Sequence, residues 1–226
     1  MPASPALVFS PHLDDAVLSL GNVIAAHPGS VVVTVLAGMP PDESRTTEWD
    51  TSCGFGSAGE SMRERWAEDE AAVAVLGGSV IHLDFLDRQY GKADGSSITL
   101  EIERLITEHA DRELYGPLGV WHPDHRRVSD AFLDAVSSSG TDCVLYADIP
   151  HYANAGGLDR RLAELRQRGV VVDAFVESTE THPAKVRARE LYASQVRAFG
   201  DVPLDLPELT AAVRCTNRRS RRGPDR

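Results

Sequence analysis

At residues 6–15 the chain reads Ala6-Leu7-Val8-Phe9-Ser10-Pro11-His12-Leu13-Asp14-Asp15, and this stretch decides the fold. Its first four residues are apolar and end at a serine and a proline, which is typical of a short buried strand. From Asp15 onward, apolar residues recur at helical spacing until His27-Pro28-Gly29. A histidine and two aspartates therefore occupy the turn between a first strand and a first helix, where open α/β sheets place their ligands.

The last six of these residues, 10–15, allow a structural and a functional interpretation. Asp15 could cap the helix, with Asp14 as a first-turn acid that complements the helix dipole. Alternatively, His12 and Asp15 could hold a divalent metal and leave Asp14 free for proton transfer. The hexapeptide alone favours neither interpretation, so a second cluster of the same residue types has to decide.

Strand and helix patterns alternate through the rest of the chain. The predicted strands are residues 6–9, 30–37, 80–85, 118–121, 143–146 and 170–176. The predicted helices are residues 15–26, 60–76, 98–109, 123–136, 158–168 and 183–199. This alternation predicts a single-domain, Rossmann-like three-layer α/β sandwich with a mostly parallel sheet. We place the domain at residues 1–200 and interpret residues 201–226 as a C-terminal extension with a basic, disordered tail.

Composition excludes several classes of function. The chain has 226 residues and a formal net charge of -11. Six arginines and one aspartate give residues 214–226 a charge of about +5, so the rest carries about -16, which argues against a nucleic-acid surface. Three widely separated cysteines indicate a reducing compartment and no thiolate metal site. With neither a signal-peptide pattern nor a long apolar run, we expect a cytoplasmic protein without a membrane partner.

A second cluster, His122-Pro123-Asp124-His125, also follows a predicted strand. Pro123 suits the first position of a helix, so His122 and His125 share a face of its first turn. Because parallel strands end at one edge of a sheet, this cluster should approach the first one. A catalytic zinc site needs three protein ligands and an open position. His12, Asp15 and His125 are the predicted ligands.

Bound zinc would acidify its water and polarise a carbonyl oxygen, which suits hydrolysis of an amide. Asp14 diverges from Asp15 and is predicted to act as general base toward that water. His122 could stabilise the oxyanion as a cation and act as acid toward the leaving amine. Asp124 would not bind the metal itself but would orient one of the imidazoles through a hydrogen bond.

Further polar and aromatic residues follow the predicted strands or lie in loops. His151 could line the substrate cleft, and Asp148 is a candidate partner for His122. Trp49, Phe55 and Tyr152 could stack on a sugar.

The two motifs, Pro11-His12-Leu13-Asp14-Asp15 and His122-Pro123-Asp124-His125, resemble those of the PIG-L/LmbE-type metal-dependent de-N-acetylases. Two weaker patterns are similar to the same family, Arg65-Glu68-Ala72-Leu76-Gly77 and Lys185-Ala188-Tyr192-Ser194-Gln195. The resemblance extends from about residue 6 to residue 195. Leu13 and Ala16 depart from the family's usual proline and glutamate, so contacts at the start of the first helix must differ.

The resemblance implies zinc on His12, Asp15 and His125, with Fe²⁺ or another divalent metal as alternatives. It also implies Asp14 as base, His122 as electrostatic or acid partner, and Arg65 and Asp87 as sugar contacts. The expected substrate is an N-acetylglucosamine-type amino sugar on a small molecule or natural-product glycoside, which loses acetate and keeps a free amine. The sequence does not distinguish an acetamide from another amide or an ester as the substrate. It also does not determine the oligomeric state.

Two other functions compete. Two histidines and one aspartate also form the iron site of non-haem oxygenases, although those enzymes usually have all-β double-sheet folds. The chain could also be a non-catalytic module that binds metal or sugar, although binding alone needs neither Asp14 nor His122.

Overall fold

In the computed structural model, which describes residues 4–92, 94–178 and 180–213, seven strands form one sheet. They are β1 (Ala6–Ser10), β2 (Val31–Thr34), β3 (Ser79–His82), β4 (Glu113–Pro117), β5 (Cys143–Tyr146), β6 (Val176–Ser178) and β7 (Glu208–Val213). Their order across the sheet is β3-β2-β1-β4-β5-β7-β6. The five strands from β3 to β5 are parallel, and β7 runs antiparallel to both of its neighbours. The predicted mostly parallel sheet is confirmed.

Helices cover both faces of this sheet. They are α1 (Asp15–Ala26), α2 (Glu48–Cys53), α3 (Ala58–Val75), α4 (Gly95–Glu108), α5 (Pro123–Ser139), α6 (Gly157–Gln167), α7 (Pro183–Glu190) and α8 (Ala193–Phe199). The central strand β1 is fully buried, and its side chains alternate between two cores. Leu7 and Phe9 pack in the core under α4, α5 and α6, whereas Ala6 and Val8 pack in the core under α1, α3 and α7. The three-layer sandwich is therefore confirmed.

The predicted strand at 118–121 is wrong, because the fourth strand is β4, four to five residues earlier. Gly116 is part of this strand and pairs with Leu145 of β5. A Cβ at Gly116 would lie 2.3 Å from the Phe132 ring, so glycine allows α5 to pack closely on the sheet. Gly116 and Pro117 are the last two residues of β4.

The C-terminal half differs from the prediction in three places. The strand predicted at 170–176 is wrong, since β6 begins at Val176 and only Val172 forms an isolated bridge before it. The helix predicted at 183–199 is divided into α7 and α8 around the buried Tyr192. Strand β7 lies between β5 and β6, so the sheet continues into the extension predicted to begin at residue 201. The predicted basic tail, 214–226, lies outside the described residues.

The carboxyl ends of β1, β4 and β5 lie side by side at one edge of the sheet, because these strands are neighbours and parallel. Both histidine motifs begin at this edge. The connection after β2 contains the short helix α2, which begins with Thr47 and Asp50 in a capping box. Among the described residues, none of the helices is long and apolar enough to cross a bilayer.

Candidate metal centre

A cavity of about 450 Å³ opens at the carboxyl edge of the sheet. Its lining includes all nine residues predicted for the site: His12, Asp14, Asp15, Arg65, Asp87, His122, Asp124, His125 and His151. The chain thus brings three separate strand ends, together with side chains of α3 and of the loop after β3, to one place. Their roles stay predictions, and the geometry of each is described below.

Asp15 lies between the rings of His12 and His125. Its Oδ2 atom is 3.2 Å from His12 Nδ1 and 3.3 Å from His125 Nε2. Ligand atoms about 2.0–2.1 Å from a tetrahedral zinc ion lie about 3.4 Å apart, so the distance from Asp15 to each ring nitrogen, taken singly, suits two ligands of one ion. The two ring centroids are 5.1 Å apart. Two neutral imidazoles and one carboxylate are also the ligand types that zinc accepts in catalytic sites.

The electrostatics of this group favour a cation. Burial alone would lower the pKa of His12, but Asp124 and Asp15 together raise it well above its usual value. Burial would likewise lower the pKa of His125, and Asp15 and Asp148 raise it. The pKa of Asp15 is held well below its ordinary value by His125 and His12, against the effect of burial. The site therefore attracts positive charge, for which protons and a metal ion compete.

His122 belongs with His12 and His125 to a group of three imidazoles. One ring nitrogen from each of His12, His122 and His125 lies within 4.8 Å of the others. His122 also caps α5, where its Nδ1 atom accepts a hydrogen bond from the Asp124 amide at 3.3 Å. The proton of a neutral His122 ring is therefore on Nε2.

The charge predicted for His122 needs correction. Burial, followed by the nearby His12 and His125, lowers the pKa of His122 to about 4. At neutral pH the ring is therefore an uncharged hydrogen-bond donor, not a cation. His151, whose pKa burial also lowers to about 4, stacks on His122 with ring centroids 5.8 Å apart.

Asp14 has no capping role. It occupies the position before α1, but its side chain makes no capping hydrogen bond. Ser10 performs this function instead, because its Oγ atom accepts a hydrogen bond from the Ala16 amide at 3.1 Å. The Asp14 side chain is buried, and burial together with the charge of Asp15 raises its pKa to about 7, although Arg65 acts in the opposite direction. A carboxylate with such a pKa suits general base chemistry near neutral pH.

Asp124, the predicted orienting residue, lies beside His12. Its Oδ2 atom is 3.5 Å from His12 Nε2 and accepts a hydrogen bond from the Arg88 amide at 3.1 Å. Asp87 lies 3.9 Å from both His12 Nε2 and Arg65 Nη1. The predicted sugar contacts Arg65 and Asp87 are therefore neighbours at the cavity wall.

Asp148 contacts a different histidine from the predicted one. Its Oδ1 atom is 2.8 Å from Nδ1 of His125, not His122, and both side chains are fully buried. Its other oxygen accepts hydrogen bonds from the Gly119 and Val120 amides, each at 2.9 Å. The sequence showed an acid after a strand but not which imidazole it would reach.

The segment directly before the His122-Pro123-Asp124-His125 motif is strained. The amide of His122 donates a hydrogen bond to the Val120 carbonyl at 2.7 Å, which closes a three-residue γ-turn around Trp121. Trp121 has φ of 66° and is 57% exposed. A bulky residue in this conformation costs free energy. The turn directs the chain from β4 toward the cavity, where His122 begins α5.

Aromatic side chains form one part of the cavity wall. Trp49 and Phe199 both line it and pack edge to face, with ring centroids 5.5 Å apart. Tyr152 lies elsewhere, since its hydroxyl donates to the Pro207 carbonyl at 2.7 Å and its ring packs against the core. Phe55 is not among the lining residues.

The two weaker sequence patterns meet in the structure. Glu68 of α3 accepts hydrogen bonds from the amide and hydroxyl of Ser194, at 2.8 and 2.6 Å. The next residue, Asp69, accepts a hydrogen bond from the Tyr192 hydroxyl at 2.6 Å. These buried contacts hold Gln195, a residue of the cavity lining that is not one of the nine predicted for the site.

Comparison with known proteins places the chain in a family. The model of the PIG-L family, described as GlcNAc-PI de-N-acetylase, matches residues 7–136, which include both histidine motifs. The chain belongs to the PIG-L family. It is therefore a de-N-acetylase, as the motifs predicted. A search of the curated proteins found no significant match.

Solved structures share the PIG-L fold over most of this chain. The A40926 pseudoaglycone deacetylase Dbv21 is 27% identical, with a TM-score of 0.77 over 93% of this chain and 97% of Dbv21. The zinc-inhibited form of the teicoplanin deacetylase Orf2 is 23% identical, with a TM-score of 0.78 over 93% and 98%. N,N'-diacetylchitobiose deacetylase from Pyrococcus horikoshii is 18% identical, with a TM-score of 0.60 over 88% and 72%.

Proposed function

We propose that this PIG-L protein is a zinc-dependent hydrolase that removes the N-acetyl group from an N-acetylglucosamine-type sugar on a small-molecule glycoside. The observation that carries the proposal is the position of Asp15 between the rings of His12 and His125, in the cavity that also contains Asp14 and His122. This arrangement supplies three ligands, one base and one hydrogen-bond donor for hydrolysis of an amide.

Each residue has a distinct task in the proposed reaction. Zinc held by His12, Asp15 and His125 would supply Lewis acidity toward water and the acyl oxygen. Asp14 takes one proton from the attacking water and later gives it to the amine as the C–N bond breaks. The Nε2–H group of neutral His122 donates a hydrogen bond to the acyl oxygen as negative charge develops on it. The products are acetate and a free amino sugar.

Cavity size and lining support a glycoside as substrate. A volume of about 450 Å³ is in the range of cavities that bury drug-sized ligands. Arg65 and Asp87 offer charged contacts for a sugar, and Trp49 and Phe199 offer an apolar wall for the rest of the molecule. Dbv21 and Orf2, named as deacetylases of A40926 pseudoaglycone and teicoplanin, also support a natural-product glycoside.

The competing functions have less support. The mostly parallel sheet is not the all-β double sheet in which iron oxygenases of this ligand type usually occur. A binding module would have no use for Asp14, a buried carboxylate that is not needed as a helix cap. A cytoplasmic location and the absence of nucleic-acid and membrane partners belong to the same proposal and rest on the sequence features given above.

The proposal is tested with protein loaded with one equivalent of zinc, because Orf2 has a zinc-inhibited form. A panel of N-acetylglucosaminides with different aglycones is incubated with it, and amine and acetate are measured by mass spectrometry. We expect equimolar amine and acetate, no product after chelation, and recovery when zinc is restored. Matched N-propionyl and O-acetyl compounds distinguish an acetamide from other acyl groups and esters. Stoichiometric zinc without amine from any glycoside would contradict the proposal.

A further inference from the structure

Gln195, near the start of α8, has an unmet hydrogen-bonding requirement beside the cavity. Its side chain is 1% exposed and belongs to the cavity lining. The Oε1 atom is buried without a hydrogen-bond partner. Such an acceptor destabilises a folded protein unless water or a ligand satisfies it.

The neighbouring contacts determine which end of the amide is unpaired. The Ser194 hydroxyl has one hydrogen, and it donates this hydrogen to Glu68 Oε2 at 2.6 Å. Toward Gln195, the Ser194 oxygen can therefore only accept, and the atom 3.3 Å away must be the Nε2 donor. The side-chain amide of Gln195 therefore cannot exchange its oxygen and nitrogen positions while Ser194 donates to Glu68. Its unpaired end is an acceptor, so the missing partner must be a donor.

A second unpaired atom belongs to another residue that lines the cavity. Arg65 precedes Glu68 by one turn of α3, and its Nε–H donor is also buried without a partner. An acceptor from Gln195 and a donor from Arg65 together match hydroxyl groups, each of which can both donate and accept. The terminal torsion of glutamine is soft, so a rotation smaller than a reversal can adjust Oε1 toward a ligand in the cavity.

We propose that Gln195 is a specificity-determining residue that accepts a hydrogen bond from a hydroxyl of the amino sugar, and that Glu68 and Ser194 position it. This inference rests on the proposed function and adds that the protein recognises a hydroxyl group of the substrate. A site built to pair with a hydroxyl discriminates against an analogue that lacks it, because the protein acceptor then stays unpaired.

The test compares the parent N-acetylglucosaminide with its 3-deoxy, 4-deoxy and 6-deoxy analogues, using zinc-loaded wild type, Gln195→Met and, as matched control, Gln167→Met at an exposed position. For wild type we expect kcat/KM to fall about tenfold to a hundredfold for one analogue. Gln195→Met should lose a similar factor on the parent, mainly through KM, but show no further loss on that analogue. The control should behave as wild type.

Ser194→Ala gives a second, independent readout. Without the Ser194 oxygen the amide can reverse, so discrimination between the parent and the critical deoxy analogue should weaken while kcat is nearly kept. Equal kcat/KM of wild type for all four sugars would overturn the inference, even if Gln195→Met fails to fold. An equal loss on all sugars in Gln195→Met would also overturn it, since it indicates a structural role or a bound water.

Failure of the proposed function gives a different result. If wild type hydrolyses none of the sugars, the deacetylase proposal fails, and calorimetric binding of the parent and deoxy sugars then decides the role of Gln195. Discrimination in binding that Gln195→Met abolishes supports the inference. Absence of binding, or binding without discrimination, contradicts it.

Discussion

The His125 ring donates a hydrogen bond from Nδ1 to Oδ1 of Asp148 across 2.8 Å. The other Asp148 oxygen accepts from the Gly119 and Val120 amides, so this carboxylate joins the end of β5 to the segment between β4 and α5. The contact fixes the ring so that Nε2, the atom 3.3 Å from Asp15, is available to a metal.

Replacement of Asp148 should therefore weaken metal binding. In Asp148→Asn, the amide group cannot accept from both His125 and the two backbone amides, so the ring loses its fixed orientation. We expect zinc affinity to fall about 10- to 100-fold. Competition with a chromophoric chelator measures it, with Asp205→Asn at an exposed position as control. A zinc dissociation constant equal to that of wild type would show that Asp148 does not orient the ligand.

The strained turn at Trp121 makes a prediction about stability. Trp121→Ala keeps a Cβ atom at φ of 66°, whereas Trp121→Gly removes it. We expect the glycine variant to be about 1 kcal/mol more stable than the alanine variant in urea unfolding. At Val176, an exposed strand residue without positive φ, the order should be reversed. Equal stability of the two Trp121 variants would mean that the backbone strain is relieved elsewhere.

The fold and the position of the site could be predicted because they follow from local patterns. A buried apolar run, a polar turn and a helical repeat define each unit from β1 to α1 and from β4 to α5. Parallel strands end at one edge, so His12 and His125 approach each other although 112 residues lie between them in the sequence. The lining of one cavity by all nine predicted residues follows from this rule.

The remaining features depend on contacts between distant residues, which a local pattern does not contain. Gly116 belongs to a strand through its pairing with Leu145, and the close approach of the Phe132 ring leaves no room for a side chain there. Asp15, the candidate cap, is instead the first residue of α1, and the Ser10 hydroxyl oxygen accepts the hydrogen bond from the Ala16 amide. The neutral state of His122 results from burial among other imidazoles, which only the assembled site shows.

Asp14 should be essential for turnover but not for metal binding. Asparagine has nearly the same shape and cannot take a proton from water, so Asp14→Asn should lower kcat by about 10²- to 10⁴-fold. Zinc content, measured by mass spectrometry of the metal, should equal that of wild type, because Asp14 is not one of the proposed ligands. Asp159→Asn, at an exposed position of α6, serves as control. A kcat close to that of wild type would remove Asp14 as the base.

The ion pair between Lys185 and Glu208 makes a prediction about folding. Lys185 Nζ donates a hydrogen bond to Glu208 Oε1 at 2.6 Å, and both side chains are buried. Glu208→Gln alone leaves a buried ammonium group without its counter-charge and should cost about 3–5 kcal/mol. The double variant Lys185→Met/Glu208→Gln, which removes both charges, should be much less destabilised. Urea unfolding of wild type and these two variants measures the differences, and a double variant destabilised as much as Glu208→Gln would contradict the expectation.

The pH dependence of the same pair has a definite sign. Burial lowers the pKa of Lys185 and raises the pKa of Glu208. The attraction between the two charges shifts each pKa the other way, but by less. Above the usual glutamate pKa of 4.5, folded Glu208 keeps a proton that the unfolded chain releases, so wild type loses stability relative to the double variant as pH rises. Toward the usual lysine pKa of 10.5, the unfolded chain keeps a proton that folded Lys185 has released, so wild type regains stability. The free energy of unfolding of wild type, relative to that of the double variant, should therefore be lowest between pH 4.5 and pH 10.5. A maximum in this range would mean that the attraction between the two charges outweighs the effect of burial.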